Sequence, residues 1–117
     1  MNYDPNNVFA RILRGEIPAQ VLHEDHLCTA FRDVAPKAPT HFLVIPKRPL
    51  ARLADADESD KAVLGHLLWV AAEVCRQLGV ANDGFRVVVN NGARAGQSVF
   101  HLHVHVLAGR DFGWPPG

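Results

Sequence analysis

Between Gln97 and Leu107 the chain reads Gln-Ser-Val-Phe-His-Leu-His-Val-His-Val-Leu, so that His101, His103 and His105 alternate with Leu102, Val104 and Val106. A β-strand has a side-chain period of two, which sends the three imidazoles to one face and the three aliphatic side chains to the other. One face must pack and the other is free for chemistry. The rest of the chain has to supply neighbouring strands, a cover for the apolar face and a pocket in front of the histidines.

The chain has 117 residues, enough for one domain (1–117) with a core that needs no disulfide or metal. A hydrophobic content of 48% excludes a disordered chain, and twelve basic residues against twelve acidic ones leave no net field to attract nucleic acid or an anionic membrane. Cys28 and Cys75 form neither a CxxC pair nor a disulfide framework, so they read as reduced, buried thiols. The start is polar and no apolar run reaches the roughly 18 residues of a membrane span. A cytoplasmic protein is therefore expected.

Asn6 and Asn7 can cap a short helix bearing Val8, Phe9, Ile12 and Leu13, with Gly15 as its stop. Val21 to Glu24 and Leu27 to Arg32 alternate as two strands around the polar turn Glu24-Asp25-His26. After a proline-punctuated loop, His41 to Pro46 is apolar with little alternation, as in a central strand buried on both faces. Asp55 and Glu58 have capping-box spacing and predict a helix running to about Leu78, with Gly79 as its stop. Val63, Leu64, Leu67, Leu68, Val70, Ala71, Val74, Cys75 and Leu78 cover more of that helix than one sheet can bury, which predicts a partner subunit, and Gly65 would permit close helix approach. Phe85 to Asn90 is a further strand, followed by the Gly-rich loop 91–96 and the histidine strand. The fold class is α+β: a five-stranded, mainly antiparallel sheet with one long and one short helix.

Three chemistries are open to the histidines. A single zinc is disfavoured, because at roughly 3.3 Å per residue the first and third backbones stand about 13 Å apart, against ligand bonds of about 2 Å. A merely solvated or packed histidine face is the second. The third is attack on phosphorus: neutral imidazole is abundant at pH 7, and neighbouring rings can hold phosphate oxygens. His103, flanked on both sides, is then the natural nucleophile.

The segment His101-Leu102-His103-Val104-His105-Val106-Leu107 resembles the His-x-His-x-His-hydrophobic motif of the histidine-triad superfamily. Asp33 to Lys47, Asn90 to Ser98 and the tail Gly113-Trp114-Pro115-Pro116-Gly117 extend the resemblance, toward the Hint branch of nucleoside phosphoramidases, along almost the whole chain. It implies a homodimer whose sheets join into one, with a purine nucleotide in each protomer. It further implies that His103 attacks the α-phosphorus, that His105 binds the phosphate, and that His101 and His41 support them, His41 by fixing the tautomer of His101 or His103. Ser98 would contact phosphate or leaving group. Asn90 and the Gln97 to Val99 backbone would line the site, Asp33 would hold the ribose hydroxyls, and Phe9, Ile12, Phe31, Arg32 and Val34 would surround the base. Trp114 would reach toward the partner's site and influence substrate choice.

Carboxylate chemistry alone makes Asp33 either a ribose acceptor or a loop cap. The glycine-rich stretch Gly92 to Gly96 is not a P-loop, since no Lys-Ser/Thr pair follows. His23, His26 and His66 read as structural or exposed. The chain departs from its resemblance at Arg32 and Pro49, where histidine is common, and lacks the zinc-binding cysteines that some relatives carry near Phe9 to Ile12. No metal or cofactor is expected. The function so implied is hydrolysis of a P–N bond in purine nucleoside 5′-phosphoramidates, with aminoacyl adenylates as further substrates, through a nucleotidyl-histidine. Dinucleoside polyphosphate hydrolysis and nucleotide binding without turnover are the alternatives.

Overall fold

The computed structural model describes residues 1–117. The elements run α1 (Val8–Leu13), β1 (Val21–Glu24), β2 (Cys28–Arg32), β3 (Thr40–Pro46), α2 (Lys61–Gln77), β4 (Phe85–Val88) and β5 (Val104–Ala108). The five strands form one sheet in the order β1-β2-β3-β5-β4, and every neighbouring pair is antiparallel. The expected α+β sheet is present, with β3 at its centre. No helix is long and apolar enough to cross a membrane.

Alternation along the strands divides the sheet into two unlike faces. Cys28, Ala30, Phe42, Val44, Val104 and Val106 turn to α2, where Leu67, Val70, Ala71, Val74 and Cys75 complete the main core. Phe31, Leu43 and Ile45 turn the other way and pack with Phe9 of α1. Helix α1 forms as its sequence predicts: the Asn7 side chain accepts from the Ala10 N–H, and Gly15 takes the positive φ of 75° past the last turn.

Three boundaries differ from expectation by more than one residue. Helix α2 starts at Lys61, preceded by short 3₁₀ turns at 53–55 and 58–60, and the capping box is Asp57 with Asp60, closing the second turn ahead of the helix, not Asp55 with Glu58. Asp55 is drawn off by the terminal amine at 3.0 Å and by Arg52 at 2.9 Å, while buried Asp60 also pairs with Arg48. Strand β4 ends at Val88 instead of Asn90.

The third boundary bears on function: β5 begins at Val104, so His101 and His103 precede the strand. The ladder between β3 and β5 ends at Val44 opposite Val104, and Pro46, with no N–H to donate, lies just beyond. The Leu102 N–H donates instead to the Leu50 carbonyl at 2.7 Å. Facing is nevertheless kept, since Leu102 joins the core under α2 while the His103 ring lies 4.9 Å from that of His105.

Candidate active site

Between α1, the ends of β2 and β5 and the glycine-rich loop lies a pocket of about 440 Å³, lined at one end by His103, His105, Ser98 and Asn90. Its apolar wall includes Phe9, Ile12, Phe31 and Val99, with Arg32, Asp33 and Val34 at the rim. Eleven predicted positions thus meet in one cavity. His101, His41, Gln97 and Trp114 do not line it.

Backbone groups fix the protonation pattern of the histidines. His103 Nδ1 lies 2.7 Å from the His101 carbonyl, which can only accept, so Nδ1 carries the proton and Nε2 of the neutral ring keeps a lone pair. The Lys37 N–H donates to His41 Nδ1 at 3.0 Å, which puts the His41 proton on Nε2. That N–H faces His105 Nδ1 at 3.0 Å, and His105 therefore bears its own proton on Nε2. His101 donates from Nε2 to the Pro46 carbonyl at 2.8 Å and accepts at Nδ1 from the Tyr3 hydroxyl at 2.6 Å.

His41 thus orients His105, and not His101 or His103 as expected. In register His41 stands opposite Leu107, which brings His105, two residues along the same face, within reach of its ring. His101 is fully buried and holds His103 through its backbone. Phe9 completes the arrangement with its ring edge-on to His103 at 4.9 Å.

Burial pushes the pKa of His41, His101 and His103 below the ordinary 6.5, and that of His105 down to about 4, the nearby imidazoles adding to the last shift. The resting site is therefore neutral at its histidines, and no imidazolium waits there as an acid. The sign of the linkage follows: below pH 6.5 the unfolded chain binds more protons than the folded one, so stability present above pH 6.5 is lost as pH falls through about 4. Urea midpoints measured stepwise from neutrality to about pH 4 should decline over that window. A midpoint that stays level down to pH 5 would contradict it.

Asp33 takes the loop-cap role with one oxygen and leaves the other toward His41. Oδ1 accepts from the Ala35 N–H at 2.8 Å as a loop cap, and Oδ2 lies at the pocket rim 3.4 Å from His41 Nε2. The Gln97 side chain is turned inward: Oε1 accepts from the Gly92 N–H at 2.8 Å, while Nε2 donates to the Ala51 and Val99 carbonyls at 2.8 and 3.1 Å. It shapes the loop that presents Ser98. Trp114 is 84% exposed and anchors nothing within this chain.

The sequence reading missed Tyr3, and also Val8, Ile17, Pro18, Ala19 and Leu43 in the pocket wall. An apolar run at Ile17-Pro18-Ala19 in a loop was the available signal for three of these; nothing local marks Tyr3.

A family model described as the HIT domain matches residues 14–112. A HIT-like protein of Synechocystis is 56% identical over 112 residues, covering 96% of this chain and 97% of its own. A crystal structure of a HIT family hydrolase from Legionella pneumophila superposes with a TM-score of 0.93 at 43% identity, covering 96% of this chain and all of that one. A HIT family hydrolase from Clostridium thermocellum gives 0.90 at 41% identity, covering 92% and 94% of the two chains. With its histidine motif inside the matched region and its fold shared with these relatives, the chain belongs to the HIT family.

Proposed function

We propose that this protein is a purine nucleoside phosphoramidase of the Hint type, acting as one domain over residues 1–117. The observation that carries the reading is the pair of fixed tautomers: a lone pair on His103 and an N–H on His105 belong to the same pocket wall. Attack needs the first and phosphate binding the second. Two relatives described as hydrolases fit with turnover.

In the first step His103 Nε2 forms a bond to the α-phosphorus as the P–N bond breaks, and the departing nitrogen takes a proton to leave as an amine. Without that proton an amide anion would have to leave. Ser98, exposed at the mouth, relays the proton from solvent, since the buried histidines are neutral. In the second step water attacks phosphorus, the bond to His103 breaks, and a nucleoside monophosphate is released.

The base lies against Phe9, Ile12, Phe31 and Val99, beside Arg32 and Val34; Asp33 Oδ2 accepts from the ribose hydroxyls. Asn90 and the backbone of Gln97 to Val99 border the phosphate. The chemistry asks for no metal or other cofactor. Leu68 and Trp69 on α2 are more than half exposed, and the outer edge of β4 has no partner strand, both of which support a homodimer with joined sheets. The tail with Trp114 then extends toward the partner's site. Free Cys28 and Cys75 suit the reducing cytoplasm.

The test is side-by-side turnover of adenosine 5′-phosphoramidate and diadenosine tetraphosphate by one preparation. We expect kcat/KM at least about tenfold higher for the P–N substrate, a difference of ~1.4 kcal/mol in barrier. Faster polyphosphate cleavage would replace the reading with its P–O rival, and AMP binding without turnover of either would reduce it to a binding protein.

A further inference from the structure

The sheet face turned away from the pocket carries a second convergence of ligating side chains. His23 lies on β1, Asp25 in the turn that follows, Cys28 at the start of β2 and His66 on α2. Asp25 Oδ2 is 2.7 Å from Nε2 of His23 and 2.7 Å from Nε2 of His66, and 3.7 Å from Cys28 Sγ. The donor atoms of His23, Asp25 and Cys28 all lie within 4.8 Å of one another. We infer that these four residues bind a zinc-class divalent cation that ties the β1–β2 hairpin to helix α2.

Both rings point the nitrogen that could ligate at a single carboxylate oxygen. The other oxygen is committed, since Asp25 Oδ1 accepts from the Leu27 and Cys28 N–H groups at 2.8 and 3.0 Å. The turn thereby aims Oδ2 at the histidines, the kind of outer support that orients metal ligands. Tetrahedral zinc with bonds of about 2.0 to 2.3 Å sets its ligands about 3.5 Å apart. The 2.7 Å contacts to Asp25 would open by less than about 1 Å and the sulfur stands near the required separation from Oδ2, while the His66 nitrogen, outside the group within 4.8 Å, must swing in to take the fourth position.

Two imidazoles, a carboxylate and a thiolate form a borderline-soft set, suited to Zn²⁺ or Co²⁺ and poorly suited to Mg²⁺ or Ca²⁺. In the bound state each imidazole ligates through Nε2 and keeps its proton on Nδ1, and the Cys28 thiol gives its proton to solvent. Two negative ligands then balance the dication, so the half-buried site acquires no net charge. Side-chain exposures of 21% for His23 and Asp25 and 24% for His66 leave a route in, while Cys28 closes the inner side. Cys28 belongs to the core under α2 and not to the Phe9–Phe31 cluster by the pocket, so the cation stabilises the fold and touches no reacting atom.

The intact chain, stripped with a chelator, should take up one Co²⁺ per molecule. The bound ion should show visible d–d bands of tetrahedral strength and a near-ultraviolet thiolate charge-transfer band, both abolished by Zn²⁺. Zn²⁺ should also raise the thermal midpoint. His66→Gln, whose amide can still donate to Asp25 in the unloaded fold, should weaken Co²⁺ binding at least about tenfold, remove the Zn²⁺ effect on the midpoint and leave phosphoramidate hydrolysis unchanged. His105→Ala should keep the Co²⁺ spectrum. No thiolate band at saturation, Co²⁺ affinity untouched by His66→Gln, or loss of the spectrum in His105→Ala would each overturn the assignment.

Discussion

His103→Ala is expected to lower kcat/KM on adenosine 5′-phosphoramidate by about 10⁴-fold or more, the scale on which loss of a covalent nucleophile is felt. The ring has a single free nitrogen, because Nδ1 is spent on the His101 carbonyl, and no other side chain in the pocket offers an uncommitted neutral base at that place. Acid-quenched wild-type enzyme mixed with radiolabelled phosphoramidate should carry label on protein, and the variant none. AMP should still bind within a few-fold of wild type, since the apolar wall, Asp33 and the His105 N–H persist. Full activity in the variant, or label retained, would sink the covalent route. His41→Phe makes a graded companion: it should leave the nucleophile intact while releasing His105 from its tautomer.

Phe42→Ala should be the costliest single truncation for stability. Phe42 is wholly buried on the central strand, standing between Arg32 of β2 and Val106 of β5 and facing α2 within the main core. Removing its ring forfeits transfer free energy and leaves a cavity that strands paired on both sides cannot close, at about 3–5 kcal/mol. That is a large share of the roughly 5–15 kcal/mol by which domains are stable. Urea unfolding should show it as a lowered midpoint at nearly constant slope, with Val34→Ala, 97% exposed, as the neutral reference. A loss below about 1 kcal/mol would mean that the core collapses around the gap.

What was legible in the sequence was set by near neighbours. Asn7 and Gly15 bracket α1 because a cap and a left-handed stop are local devices, and the unbroken apolar run of β3 marks a strand covered on both faces. The start of α2 was misplaced because two acidic frames, Asp55 with Glu58 and Asp57 with Asp60, offer the same signal. Arg48, Arg52 and the terminal amine choose between them in three dimensions. Most of the pocket could be assembled from a resemblance, since whole motifs move together. The wiring behind it could not. The pairing of His41 with His105 is a matter of register, and the contact between Tyr3 and His101 joins positions 98 apart in sequence.

Strand order also has a consequence for biosynthesis. β4 pairs only with β5, and β5 is inserted between β4 and β3, although it is the last strand made. While the ribosome holds that segment, β1 to β3 can form and α2 can begin to cover them, but β4 has no ladder to join and Tyr3 has no imidazole to meet. Such late, long-range closure is slow compared with local pairing. A nascent chain therefore lacks the wall formed by His103 and His105 until its final strand emerges, and the pocket and the finished sheet come into being in the same event.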